Sequence, residues 1–113
     1  MELSAWYHVR FDAEKIYRNA EPAGSTAWAD ELEWKDIIRI CFQAGDLWTS
    51  DELYIFTNQR EESYLIPLEA EGGLELWNEI IQRGLFDATL AVKVATSGEG
   101  LFCWPPADPD SNQ

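Results

Sequence analysis

The chain has 113 residues with a formal net charge of −13, from 21 Asp and Glu against 8 Lys and Arg. A chain of this length buries roughly 65% of its unfolded surface, enough for one domain with a real core. A 46% hydrophobic and 13% aromatic content excludes a disordered acidic chain, and so few cations exclude phosphate-led binding to nucleic acid or anionic membranes.

The N-terminus carries Glu2 and neither a basic stretch nor an apolar run, so no secretory signal is read there, and the cytoplasm is the expected location. No apolar run approaches the roughly 20 residues a membrane-spanning helix needs. Cys41 and Cys103 are the only cysteines, each beside aromatic residues. Two buried thiols are expected in preference to a disulfide.

Trp6 to Phe11 alternates, with Tyr7, Val9 and Phe11 on one face and Trp6, His8 and Arg10 on the other, the period of a strand. Lys15 to Arg18 reads as a short return strand, and Glu21-Pro22-Ala23-Gly24-Ser25 as a turn. Thr26 to Glu33 is ambiguous. Trp34 to Phe42 reads as a strand with Ile38, Ile40 and Phe42 on one face and Ile37, Arg39 and Cys41 on the other. A polar loop follows from Gly45 to Asp51, carrying Trp48. Leu53 to Thr57 and Ser63 to Leu68 read as two strands joined by a five-residue hairpin loop, Asn58 to Glu62.

The clearest helix lies between Gly73 and Gly84. Leu74, Trp77 and Ile81 recur at helical spacing, with Leu76 and Ile80 widening the stripe. Glu79 precedes Arg83 in the favourable i, i+4 order, and Gly84 suits the left-handed position after the helix. Thr89 to Ala95 reads as a last strand, with a short helix as the alternative. Residues 105–113 hold three of the five prolines and no large apolar residue, and read as a disordered tail after a domain spanning 1–104. The expected fold class is α+β, an antiparallel sheet or roll capped by one amphipathic helix.

Catalytic and metal chemistry find little support. One histidine and two distant cysteines make no zinc set, and Asp46, Asp51 and Glu52 lack the spacing of a calcium loop. His8 and Cys41 are the only imidazole–sulfur pair with both members on expected strands, and read better as a half-exposed strand residue and a packed thiol. The glycine pair Gly72-Gly73 is flanked by Glu69, Glu71 and Glu75, which repel phosphate, and reads as a turn. Close carboxylate pairs are what 21 acids produce by chance, so no glycosidase-like site is assigned. No cofactor, no metal and no enzymatic activity are expected.

Six tryptophans are a heavy load for 113 residues. Trp34 and Trp77 read as core, while Trp48 stands in an acidic loop, either as an interface hot spot or folded back as a plug. A charge of −13 exceeds the magnitude of about 2–8 that keeps a small domain soluble, which suits steering toward a basic partner. The favoured expectation is therefore a cytoplasmic interaction protein for a basic protein partner, of which an immunity protein against a cationic toxin is one instance. Its expected contacts are Asp46, Trp48, Asp51, Glu52, Glu61 and Glu62, although hairpin geometry sets Glu61 and Glu62 opposite Asp51. The alternative is a small-ligand or peptide module using the groove between the sheet and the Leu74–Arg83 helix.

The segments Trp34-Lys35-Asp36-Ile37-Ile38-Arg39-Ile40, Asp51-Glu52-Leu53-Tyr54-Ile55-Phe56-Thr57, Glu62-Ser63-Tyr64-Leu65-Ile66-Pro67 and Leu76 to Phe86 resemble a family of small, acidic bacterial proteins without an assigned activity. More loosely, this order of strands before a closing helix is similar to bacterial pleckstrin-homology-like domains. That resemblance implies a bent antiparallel sheet, one capping helix and a binding role. The chain departs from it in adding Asp87 to Trp104 and in lacking a basic lipid-binding loop.

Overall fold

The structure, a computed structural model, describes residues 3–45, 51–97 and 100–106. A single 3-10 turn, Leu3–Ala5, leads into β1 (Tyr7–Phe11), β2 (Lys15–Ala20) and β3 (Trp28–Glu33), an antiparallel meander. The 3-10 turn Trp34–Asp36 passes the chain to β4 (Ile37–Ala44), β5 (Glu52–Thr57) and β6 (Arg60–Pro67). Helices α1 (Gly73–Gln82) and α2 (Ala88–Ser97) follow, then β7 (Gly100–Trp104), which pairs with β4 to complete the order β6-β5-β4-β7. The protein is α+β, with two antiparallel sheets of three and four strands and two helices among the described residues, where one sheet and one helix were expected.

Alternation sets the faces. Tyr7 and Val9 on β1, Ile16 and Ala20 on β2, and Leu53 and Ile55 on β5 all point inward and are buried. Val9, Ile16, Leu53 and Ile55 join Ile40, Phe42, Tyr64, Ile66 and the α1 side chains Leu76, Trp77 and Ile80, while Tyr7 and Ala20 pack with Ala70 in a second cluster. On β4 the expected alternation fails at its start. A bulge between Ile37 and Arg39 turns Ile38 outward, 55% exposed, while Ile40 and Phe42 remain inside.

Two glycines are demanded by local geometry. Gly72 precedes α1 with φ of 84°, and a Cβ there would lie 2.0 Å from the Val9 carbonyl oxygen. Only glycine lets the α1 entry lie against β1, where Val9 N–H donates to the Glu71 carbonyl (2.8 Å) and Glu71 N–H to that of Tyr7 (2.9 Å). At the far end Gly84 takes φ of 76°, with Leu85 N–H donating to the Ile80 carbonyl and Gly84 N–H to that of Ile81. This is the Schellman closure expected of a glycine at that position. Arg83 pairs with Glu79 (2.8 Å) and lies 3.9 Å above the ring of Trp34.

Three expectations are corrected here. Thr89 to Ala95 is helical: Asp87 caps α2 by accepting from Leu90 N–H (2.9 Å), and Leu90, Ala91 and Val94 bury one side against the core. Packing and a cap thus override the β preference of Val92 and Val94. The β5–β6 connection is a two-residue turn, because Thr57 pairs with Arg60 and only Asn58 and Gln59 lie outside the strands. Cys41 and Cys103 are disulfide-bonded, not free thiols: they sit directly opposite on β4 and β7 with Cα atoms 4.0 Å apart. Of the expected disordered tail, residues 107–113 lie outside the described residues.

Candidate functional site

Of the six carboxylate and tryptophan contacts expected from sequence, the four among the described residues fall into two separate pairs. Asp46 and Trp48 lie outside the described residues. Asp51 is half-buried, its carboxylate accepting from Gly45 N–H (2.8 Å) and its carbonyl from Leu68 N–H (3.0 Å). Glu52 stands between Gln43 and Pro67 in the register and accepts from the Tyr54 hydroxyl (3.1 Å). Glu61 and Glu62 are exposed on β6, beside the turn at the opposite end of β5. The length of β5 separates the two pairs by roughly 17 Å at strand rise.

One member of the set, Asp51, borders an apolar groove of about 390 Å³. The groove is walled by Phe42 and Ala44 of β4, Leu68, Leu74 and Trp77 around α1, and Val94 of α2. Trp77 is fixed there by its ring contacts with Phe42 (4.8 Å) and Phe86 (4.9 Å). Leu74, one turn earlier on the same helix, is 56% exposed at the groove. Neighbouring it in sequence, Glu69, Glu71 and Glu75 are all exposed. The groove thus joins an apolar floor to one carboxylate, Asp51, at its border.

A larger and more open concavity, about 580 Å³, runs along the three-stranded sheet past Arg10, Tyr17, Asn19, Ala29 and Glu31. Arg10 lies 5.4 Å from the centre of the Tyr17 ring, and the Tyr17 hydroxyl donates to Asp12 (2.8 Å). Beside it, Arg18 fastens the two sheets. Its guanidinium grips Asp30 through two bonds (2.7 and 3.0 Å), donates to the Leu65 carbonyl on β6 (2.9 Å) and lies between the rings of Trp28 and Tyr64. The Tyr7 hydroxyl donates to the same carbonyl. Burial pushes the Tyr7 pKa above the ordinary phenol value, with Arg18 pulling the other way.

Sequence reasoning misses Arg18, although alternation with Ile16 and Ala20 already places it on the inward face. It places Leu74 and Trp77 on the apolar stripe of the helix and names a groove between the sheet and the Leu74–Arg83 helix as the alternative site. The His8–Cys41 pair offers no nucleophile: Cys41 is in the disulfide, and His8 Nδ1 lies 2.9 Å from the Glu71 carboxylate. Among the described residues, no group of three or more His, Cys, Asp or Glu is placed to hold a metal ion, and no helix is long and apolar enough to cross a membrane.

Comparison of the chain with protein-family models, with curated proteins and with solved structures finds no match, so the pleckstrin-like order of elements has no structural neighbour behind it.

Proposed function

We propose that this protein is a non-enzymatic interaction module that binds a basic protein partner, with the groove between α1, α2 and β4 receiving an apolar anchor of that partner. The observation that carries this reading is Leu74. A large apolar side chain, 56% exposed, stands beside an apolar groove on a chain of charge −13. Apolar burial supplies affinity, while the net negative charge speeds encounter with a cationic surface and disfavours anionic ones, nucleic acid and anionic membranes included. Asp51 belongs both to the acidic patch read from sequence and to the groove, so the contact surface shifts from the β5–β6 turn toward the helices. Glu61 and Glu62 then act only through long-range attraction.

The cytoplasmic expectation follows from the N-terminus, where no secretory signal is read, and the free thiols follow from it in turn. The Cys41–Cys103 bond weighs against it, because disulfides persist in oxidising compartments, and the reading places the encounter in such a compartment.

The test is calorimetric titration with an amphipathic helical peptide made only of leucine and lysine, its leucines at i, i+3, i+4 and i+7. Binding should weaken at least about tenfold from about 0.05 M to about 0.5 M salt. Leu74→Ser should weaken it about tenfold at fixed salt, the equivalent of losing most of one buried leucine contact. Binding indifferent to Leu74→Ser would move the contact elsewhere, and an absence of binding would overturn the reading. The alternative of a neutral small ligand, which the same apolar groove supports, would instead give binding insensitive to salt.

A further inference from the structure

The two sheets end in four edge strands, β1 and β3 in one and β6 and β7 in the other. Three are closed or blunted by the chain itself. β1 is bonded to Glu71 through Val9 and Tyr7. On β6, the Leu65 carbonyl accepts from Tyr7 and Arg18. β7 is only five residues long and runs into Pro105 and Pro106, which have no N–H to donate.

β3 differs. Trp34 N–H donates to the Glu14 carbonyl (3.0 Å), one step beyond the Lys15–Glu33 pair. Antiparallel alternation then makes Ile16–Leu32, Arg18–Asp30 and Ala20–Trp28 the bonded pairs. The N–H and C=O groups of Ala29 and Glu31 therefore point away from β2, and both residues are exposed and line the 580 Å³ concavity.

Edge strands are commonly protected from pairing by lysine, proline or a bulge. β3, Trp-Ala-Asp-Glu-Leu-Glu, has none of these, and its register with β2 is unbroken from Glu33 to Trp28. Its charged side chains are Asp30, Glu31 and Glu33, paired within the chain with Arg18, Lys15 and Lys35. The net charge of −13 on each copy opposes self-association through β3 and favours a strand carrying lysine or arginine.

We infer that β3 is a docking edge that accepts an extended, cationic segment of a partner as an added strand, through the outward backbone groups of Ala29 and Glu31. This goes beyond the groove reading, since it concerns a different surface and a different conformation of the bound segment. The chain's net charge of −13 favours a cationic strand, and the outward groups of Ala29 and Glu31 supply its backbone partners.

The probe is an acetylated, amidated peptide of alternating lysine and valine, with the alternating glutamate–valine peptide as control. On titration, the amide hydrogens of Ala29 and Glu31 should gain at least about tenfold protection from exchange, while the control peptide leaves them unchanged. Ala29→Pro removes one outward donor at a position where an edge strand tolerates proline, and should weaken the lysine–valine peptide about tenfold. Protection unchanged at Ala29 and Glu31, equal binding by Ala29→Pro, or equal binding of the control peptide would each overturn the docking edge. Should Ala29→Pro not fold, the exchange result on the natural chain decides alone. Failure here together with binding of the leucine–lysine helix would leave the groove reading standing, and the reverse pattern would leave only the edge.

Discussion

On the inner face of the four-stranded sheet, Ile40, Leu53, Ile55 and Ile66 have no exposed surface, and α1 covers them with Leu76 and Ile80, equally buried. The three-stranded sheet adds Val9, Ile16 and Leu32 to that core and is tied to its neighbour as well by Arg18, Asp30, Tyr7 and the Leu65 carbonyl. The first arrangement is held by non-directional burial alone, the second by burial together with directed polar bonds around an arginine side chain that is 11% exposed. The difference explains where surface is left over: the apolar layer leaves a groove at its rim, while the polar latch leaves β3 as an edge.

Substitutions that separate the two kinds of attachment rank by size. Ile55→Ala should cost about 4 kcal/mol in urea unfolding, from lost burial plus the cavity left behind. Removing the disulfide, by reductant or by Cys41→Ser with Cys103→Ser, should cost about 3 kcal/mol, read as a lowered thermal midpoint that reductant no longer changes in the double variant. Arg18→Met should cost about 2 kcal/mol. That is less than for a fully buried pair, because the Asp30 side chain it abandons is 33% exposed and water reaches it. Adding Asp30→Leu to Arg18→Met should recover much of that loss, as expected of a polar attachment and not of an apolar one. Equal costs for Ile55→Ala and Arg18→Met, with no recovery in the double variant, would erase the distinction.

The smallest effect concerns pH. Burial raises the Tyr7 pKa from 10.0, so the folded state favours the neutral phenol. Its contribution is therefore fully present below pH 10 and is lost as pH rises through the higher folded value. Tyr17 and Tyr54 are raised too, by the Asp12 hydrogen bond and by burial respectively, so alkaline sensitivity has more than one source. Urea unfolding measured from neutral pH to above pH 10 should fall less steeply for Tyr7→Phe than for the natural chain.

Legibility followed range. The α1 stripe, its Gly84 terminus, the alternation of β1 and the β-rich run of β5 are local patterns, and the structure has them where the sequence put them. β7 and the disulfide depend on Leu101 to Trp104 returning to β4 across most of the chain, which no local pattern reveals. Helix α2 is hidden because Thr89, Val92 and Val94 prefer strands, although Asp87 is already in place as its cap. For the site, the acids are visible in the sequence but their grouping is not. A two-residue turn moves Glu61 and Glu62 onto β6, and the groove beside Asp51 exists only once α2 is a helix.

The most direct test of the binding account is to map amide and indole resonances during titration with the leucine–lysine helix. The account predicts saturable shifts at Asp51, Leu74, Trp77 and Val94 that vanish at high salt. Shifts confined to Glu61 and Glu62, or none at the groove while the peptide binds, would contradict it.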